Sequence, residues 1–143
     1  MSGSDDKSLK IFHTSTSKHL STISSHNNWV RSASFSPDSR LILSAGDDKF
    51  VKVFDSETLN LVADFENDAA MMSAQFHPDG TSIATGSLDG RVELIDMRSK
   101  LLMQAYPLAH SDQVNSVAFH NSGRFLISTS SDSSLKIYDL RMG

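Results

Sequence analysis

The chain has 143 residues, a formal net charge of −4 at pH 7, 38% hydrophobic and 21% charged residues, and no cysteine. This balance argues against a disordered acidic tail or a basic nucleic-acid-binding domain, and the lack of cysteine excludes disulfides and thiolate metal sites. The first residues lack the basic and apolar blocks of a signal peptide, and no apolar run approaches the roughly 18 residues needed to span a membrane. We therefore expect a soluble, cytoplasmic protein that binds neither nucleic acid nor membrane.

An aspartate recurs four times in similar short phrases. They are SGSDDKSLKIF around Asp6, SAGDDKFVKVFD around Asp48, TGSLDGRVELID around Asp89 and STSSDSSLKIYD around Asp132. The spacings between these aspartates are 42, 41 and 43 residues. They fall within the period of a four-stranded propeller blade, which is about 40–45 residues. The chain is therefore predicted to be an all-β repeat protein built of β-propeller blades.

The second copy shows the strand pattern of one repeat. The segment SPDS at 36–39 predicts a type I turn, because proline has the φ that the turn requires, and GDDK at 46–49 predicts a second tight turn. The run LILSA between these turns is suited to a strand that is covered on both faces. Strands are predicted at residues 30–35, 41–45, 51–54 and 59–65 of this copy, at 72–76, 83–85, 92–95 and 101–106 of the third, and at 114–119, 125–128 and 135–138 of the fourth.

The outer copies are predicted to be incomplete. The first has room for only two strands and the fourth lacks its outer strand, so the expected total is 13 strands in roughly three to three and a half blades. Seven blades would need 28 strands, and closed propellers have about four to eight blades. We call residues 1–25 blade 1 (the end of a blade), 26–66 blade 2, 67–109 blade 3 and 110–143 blade 4. The open edges predict either self-association or a covalent continuation of the propeller.

Each repeat carries polar residues at matching positions that predict a hydrogen-bond network. In blade 2 these are His26 before the first strand, Ser44 in the second strand and Asp48 in the turn. The corresponding residues are His110, Ser128 and Asp132 in blade 4, Thr85 and Asp89 in blade 3, where Asn67 replaces the histidine, and Asp6 in blade 1. A His-Ser-Asp set also suggests a hydrolytic triad. Recurrence in several blades and the lack of a G-x-S-x-G nucleophile elbow favour a structural network, so no catalytic residue is predicted.

The histidine, the paired turns and the aspartate phrase resemble WD-repeat β-propeller blades over almost the whole chain. The tryptophan that the family usually has before its final aspartate is replaced by Phe12, Phe54, Ile95 and Tyr138. The resemblance therefore implies a side-chain network of three members instead of four. In blade 1 the final aspartate is itself replaced, by His13.

Three longer phrases resemble the centriolar "proteome of centriole" WD-repeat proteins. They are SHNNWVRSASFSPDSRLILSAGDDKFVKVFD, QFHPDGTSIATGSLDGRVELIDMR and VNSVAFHNSGRFLISTSSDSSLKIYDLRMG. This resemblance implies a scaffold of centrioles and basal bodies that contacts tubulin or centriolar scaffold proteins and supports microtubule and ciliary structure. It also implies that these blades are successive middle blades of a longer propeller.

The WD-repeat resemblance also implies a partner-binding rim, formed by the loops that enter the first strands and the residues before the turn aspartates. The rim residues are Asn28, Trp29, Asp47, Leu88 and Ser131. Trp29 is the only tryptophan, and tryptophan is enriched at interface hot spots. The alternative is that its ring folds back over its own loop, as buried tryptophans often do.

Two functional classes remain open. The first is a non-catalytic interaction scaffold, and the second is a WD-repeat adaptor in a ubiquitin-ligase or signalling complex. No cofactor is predicted. No metal site is predicted either, because the Asp5-Asp6 and Asp47-Asp48 pairs lack the D-x-D-x-D-G loop and closing glutamate of a calcium site.

Overall fold

The computed structural model describes residues 1–141. All regular secondary structure in this range is β-strand, which confirms the all-β fold. Four antiparallel sheets follow one another along the chain. Sheet 1 contains β1 (Ser2–Gly3), β2 (Leu9–His13) and β3 (Lys18–Ile23). Sheet 2 contains β4 (Val30–Phe35), β5 (Leu41–Gly46), β6 (Phe50–Asp55) and β7 (Leu61–Glu66). Sheet 3 contains β8 (Met71–Phe76), β9 (Ser82–Ser87), β10 (Val92–Asp96) and β11 (Leu102–Tyr106). Sheet 4 contains β12 (Val114–Phe119), β13 (Phe125–Ser130) and β14 (Leu135–Asp139).

Two details differ from the expected strand pattern. The described residues form 14 strands instead of 13, because Ser2 and Gly3 pair with Lys10 and Leu9 and give sheet 1 a third, short strand. The outer strand of blade 2 begins at Leu61 instead of Leu59, since Leu59 has a φ of 61° and lies in the preceding turn. The division of the chain into blades at residues 25, 66 and 109 stays a prediction.

The turn that carries the recurring aspartate has the same form in every sheet, and it lies between β1 and β2, β5 and β6, β9 and β10, and β13 and β14. Its last residue has a positive φ, from 67° to 83°, and that residue is Lys7, Lys49, Gly90 or Ser133. A residue in the left-handed region closes a type I turn into a hairpin of this length. In blade 3 this last turn position requires glycine, because a Cβ on Gly90 would overlap the carbonyl oxygen of His110 in the next blade.

The sheets pack face to face, and a hydrophobic core fills each gap between neighbours. Successive residues of β5 pack into opposite cores: Ile42 packs toward sheet 1 and Leu43 toward sheet 3. The gap between sheets 3 and 4 is filled mainly by Val92, Val114 and Leu126. The central strand β5 is therefore buried on both faces, which explains the mostly apolar run LILSA.

Polar contacts also join neighbouring inner strands. The Ser73 hydroxyl accepts a hydrogen bond from the Val117 backbone N–H at 3.2 Å, and the Gln75 side-chain oxygen accepts one from Phe119 N–H at 3.1 Å. The four sheets do not close into a ring within residues 1–141. On the last sheet, β14 leaves Leu135 and Ile137 59% and 64% exposed. None of the described residues belongs to a helix able to cross a bilayer.

Candidate partner-binding surface

In blade 2 the fold brings His26, Ser44 and Asp48 together. Nδ1 of His26 lies 2.9 Å from both carboxylate oxygens of Asp48, and Nε2 lies 2.7 Å from the Ser44 hydroxyl. Asp48 also accepts hydrogen bonds from the backbone N–H groups of Asn27 and Phe50. The three side chains connect the loop before β4, the strand β5 and the turn after it. They therefore fix the entry loop of the blade to its central strands.

The protonation of this network follows from its geometry. Asp48 is an acceptor, so Nδ1 of a neutral His26 carries the proton and Nε2 accepts from the Ser44 hydroxyl. Burial lowers the pKa of His26, and this effect outweighs the opposing influence of Asp48. Burial raises the pKa of Asp48, but its hydrogen bonds from His26 and the backbone bring that pKa below its ordinary value. The folded state therefore favours a neutral imidazole beside a carboxylate.

Gly46 makes room for this network, which sequence reasoning did not anticipate. A Cβ on Gly46 would lie 3.0 Å from both Nδ1 of His26 and Oδ1 of Asp48, and 2.8 Å from the Trp29 carbonyl oxygen. The corresponding residue in each of the other three blades is a serine. The replacement of that serine by glycine in blade 2 alone was the sequence feature that could have indicated this close packing.

Blade 4 has a larger network than expected. Nδ1 of His110 lies 3.0 Å from Asp132 and 2.9 Å from the Ser134 hydroxyl, and Nε2 lies 2.6 Å from the Ser128 hydroxyl. The Tyr138 hydroxyl lies 3.2 Å from that of Ser128, so the residue in the tryptophan position joins a network that, with Ser134, has five members. The expected reduction to three members is therefore wrong for this blade, because the phenol supplies a polar group that Phe54 and Ile95 lack. The hydrogen bond from Ser134 contributes most to lowering the pKa of Asp132 well below its ordinary range.

Blade 3 does not form the network. Thr85 is fully buried and its hydroxyl has no hydrogen-bond partner among residues 1–141, while Asp89 accepts from Ser87 and pairs with Arg91 at 3.1 Å. The Asn67 side chain instead donates to the Phe65 carbonyl at 3.2 Å. An asparagine is too short to bridge the turn and the central strand as an imidazole does. The expectation that Thr85 and Asp89 belong to one network is corrected accordingly.

In blade 1, Asp6 makes only local contacts. Its carboxylate accepts hydrogen bonds from the Ser8 hydroxyl at 2.6 Å and the Ser8 backbone N–H at 3.0 Å, and it lies 3.5 Å from the Lys10 ammonium. These contacts stabilise the turn. The hydrogen bonds from Ser8 lower the pKa of Asp6.

The rim residues occupy equivalent positions on one side of the blades. In blades 2, 3 and 4, the residue before the turn aspartate donates its backbone N–H to the carbonyl of the residue that precedes the inner strand. These bonds run from Asp47 to Trp29, from Leu88 to Ala70 and from Ser131 to Gln113, at 2.9, 2.8 and 3.2 Å. We call the exposed surface around these pairs the upper rim.

Trp29 forms the largest aromatic surface of the upper rim. Its side chain is 42% exposed, and the Arg31 guanidinium lies 4.8 Å from the centre of its ring. Asp47 accepts two hydrogen bonds from that guanidinium, at 2.7 and 2.8 Å, and these bonds raise the pKa of Arg31. Asn28 caps the loop by accepting a hydrogen bond from the Trp29 backbone N–H at 2.8 Å. The indole thus packs against its own blade while one part of it faces outward.

The other rim residues are also exposed. Leu88 is 49% exposed in the turn of blade 3. Ser131 accepts hydrogen bonds from the side chains of Asn115 and Gln113 in blade 4, at 3.0 and 3.2 Å. The rim therefore changes from aromatic and charged in blade 2 to apolar in blade 3 and polar in blade 4. Such a surface can bind an irregular partner.

His77 has a structural role that sequence reasoning missed. Its Nδ1 lies 2.6 Å from Asp79, and its Nε2 donates to the carbonyl of Gly123 in the next blade at 3.0 Å. It therefore joins blades 3 and 4 on the side opposite the upper rim. Among residues 1–141, no group of three or more His, Cys, Asp or Glu side chains is arranged to hold a metal ion.

The repeat family is shown by a match of its family model. The WD40 model, described as "WD domain, G-beta repeat", matches residues 17–55, 60–96 and 103–139. Each matched segment begins in or just before the outer strand of one sheet and ends with the third strand of the next. The sequence repeat is thus offset from the sheets by one strand.

Several curated proteins are similar to most of this chain. It is 34% identical over 164 residues to Nuclear distribution protein PAC1 of Arthroderma otae, a match that covers 98% of this chain and 35% of that protein. It is 29% identical over 161 residues to the PAC1 protein of Coccidioides posadasii, covering 97% and 34%. It is 29% identical over 121 residues to Pre-mRNA-processing factor 19 of Bos taurus, covering 82% and 24%. The chain thus spans about a third or less of the length of these relatives, whose names do not refer to centrioles.

Proposed function

Because the chain belongs to the WD40 repeat family, we propose that it is a non-catalytic interaction scaffold that binds a protein partner through its upper rim. The residues proposed to contact the partner are Asn28, Trp29, Asp47, Leu88 and Ser131.

The observation that carries this proposal is the arrangement of Trp29, Arg31 and Asp47. The carboxylate holds the guanidinium over the indole, so both groups are ordered before a partner arrives. Preorganised side chains lose less conformational entropy on binding. Tryptophan and arginine are also the residue types most enriched at interface hot spots.

A pull-down tests the rim. The tagged chain would be compared with Trp29→Ala and with Leu20→Ala, a control that removes an apolar side chain 53% exposed on β3. Loss of captured proteins with Trp29→Ala but not with Leu20→Ala is expected. Equal capture by both variants would remove Trp29 from the interface.

We further propose that the full-length protein acts at centrioles and basal bodies, where its partners are centriolar scaffold proteins or tubulin. The support is the resemblance of the three longer phrases to centriolar WD-repeat proteins. Imaging of the tagged full-length protein tests the location. A diffuse cytosolic signal without centriolar foci would refute it.

An adaptor in a ubiquitin-ligase or signalling complex is the second candidate. The variation of the upper rim from blade to blade favours it, because such a surface can read a short peptide residue by residue. Affinity purification separates the two candidates. Ligase or kinase subunits among the captured proteins would favour the adaptor, whereas tubulin and ciliary scaffold proteins would favour the centriolar role.

A further inference from the structure

A cleft of about 410 Å³ lies between the outer parts of sheets 2 and 3, at the place where blade 3 lacks its histidine. We call it the blade 3 cleft. Its walls come from β7, the loop at residues 67–69 and the strands β9 and β10, with Lys100 and Leu102 at one end.

Two substitutions explain why this space exists. Asn67 stands where blades 2 and 4 have an imidazole, and Ile95 stands where they have the aromatic rings of Phe54 and Tyr138. In those blades the histidine fills the gap between the turn and the central strand. Both substitutions in blade 3 replace a ring with a smaller side chain, and both residues line the cleft.

The cleft also contains an unused buried polar group. The Thr85 hydroxyl occupies the position of Ser44 and Ser128, which bond to histidines. Thr85 is 0% exposed, and its oxygen has no hydrogen-bond partner in the part of the chain that the structure describes. Burying a hydroxyl without a partner is unfavourable, because the group loses its hydrogen bonds to water and gains none in the protein. A ligand with a hydrogen-bond donor would give this oxygen a partner without displacing an existing hydrogen bond.

The charges of the cleft indicate what kind of donor fits. Its lining includes five carboxylates and two cations, Arg91 and Lys100. Arg91 already pairs with Asp68 and Asp89, while Lys100 donates to the Val62 carbonyl at 3.2 Å. Three carboxylates, those of Asp64, Glu66 and Glu93, have no salt-bridge partner within the described part of the chain.

Glu93 reverses the charge found at the same position in the neighbouring blades. It pairs across the sheet with Thr85, as Lys52 pairs with Ser44 in blade 2 and Lys136 with Ser128 in blade 4. In blade 2 the Lys52 ammonium donates to the Ser25 carbonyl at 2.5 Å. That ammonium also lies 3.3 Å from the Ser25 hydroxyl. The residue corresponding to Ser25 in blade 3 is Glu66, so this blade has carboxylates where blade 2 has the ammonium of Lys52 and the hydroxyl of Ser25. Burial raises the pKa of Glu93, which a bound cation would counteract.

We propose that the blade 3 cleft binds a basic side chain, lysine or arginine, of a protein partner. The cationic head faces the carboxylates and the Thr85 hydroxyl, and the aliphatic stem packs against Phe65, Ile95 and Leu102. The bound side chain thus places a cation in blade 3 where the Lys52 side chain places one in blade 2. The choice of a protein side chain as the ligand rests on the proposed protein-binding function, but the cleft is separate from the upper rim at Trp29.

Titration of the ¹⁵N-labelled full chain with short peptides tests the proposal. The probes are Ac-Gly-Ser-Lys-Ser-Gly-NH₂, its arginine counterpart and the same peptide with an Nε-acetylated lysine. The lysine or arginine peptide is expected to shift the backbone amide signals of Thr85, Asp89 and Glu93, and the acetylated peptide is not. Equal shifts with the acetylated peptide, or no shift with any peptide up to about 10 mM, would overturn the proposal.

Variants at the site distinguish the cleft from other acidic surface. Glu93→Gln is expected to weaken binding of the basic peptide about tenfold, because it removes a carboxylate charge that faces the bound cation. Asn67→His, which restores the residue of blades 2 and 4, is expected to fill the cleft and abolish binding while the chain stays folded. Unchanged affinity in both variants would refute the site.

A control separates this site from the proposed rim function. Trp29→Ala is expected to leave the peptide titration unchanged. Loss of peptide binding in Trp29→Ala would place the peptide on the rim and refute the cleft. Loss of partner capture in Trp29→Ala with an intact peptide titration supports both sites.

Discussion

Removal of the Ser44 hydroxyl should destabilise blade 2. In Ser44→Ala, the Nε2 atom of His26 loses the partner that now lies 2.7 Å away, in a place where Ser44 is fully buried and His26 is 6% exposed. Water cannot replace that hydroxyl without a local opening of the blade. An unsatisfied buried group costs about 1–3 kcal/mol, so we expect the free energy of unfolding to fall by that amount.

Thr85→Val in blade 3 is the matched control. It removes a hydroxyl at the equivalent position, also fully buried, but this hydroxyl has no hydrogen-bond partner. Replacing it with a methyl group of similar shape removes a desolvation cost and breaks no hydrogen bond. The stability of this variant should therefore be unchanged or increased.

Urea unfolding followed by circular dichroism compares the two variants. With an m value of about 2 kcal/mol/M, Ser44→Ala should lower the midpoint by about 0.5–1.5 M, and the m value should stay constant. Equal losses of stability in Ser44→Ala and Thr85→Val would show that the hydroxyls matter through packing alone. That result would refute the assignment of Ser44 to a hydrogen-bond network.

Further predictions concern pH, the fourth blade and association. Folding lowers the pKa of His26, so below about pH 6.5 the unfolded chain binds a proton that the folded chain does not, and the free energy of unfolding should fall as the pH drops from 7 toward 5. His26→Asn should make the urea midpoint less dependent on pH over this range. An unchanged slope of midpoint against pH in this variant would contradict the prediction. Tyr138→Phe should lower the free energy of unfolding by about 0.5–1.5 kcal/mol, because Ser128 loses its contact with the phenol. An unchanged melting temperature would show that Tyr138 does not contribute to the network of blade 4. The exposed Ile137 predicts self-association through sheet 4. The mass measured by light scattering should therefore rise above 15.7 kDa with concentration, and it should rise less in Ile137→Lys. A constant monomer mass would contradict the prediction.

The repeating pattern made most of the fold predictable. The spacing of the four aspartates indicated blades, and the turn at residues 36–39 followed from Pro37, whose backbone preference does not depend on distant contacts. The short strand at Ser2 was missed because two residues carry no periodicity of their own. It forms only because β2 offers an edge with which it can pair.

The candidate sites were less predictable, because they depend on which side chains reach one another. The sequence placed a histidine, a serine and an aspartate in blades 2 and 4, and local pattern sufficed to align them. It did not show that Tyr138 joins the network of blade 4, since the reach of a phenol across two strands depends on their register. Nor did it show that Arg31 lies over Trp29, because the position of that guanidinium is set by Asp47 in a different turn.

The sequence by itself determined the repeat, the strand order and the positions that share a role in each blade, because these properties are periodic and local. Only the tertiary structure decided what the exceptions to the repeat mean. Asn67, Ile95 and Glu93 read singly as ordinary substitutions in a varied repeat. Packed against the outer strand of blade 2, they leave a cleft with an unpaired hydroxyl and free carboxylates, because an empty space and an unsatisfied charge exist only relative to neighbouring side chains.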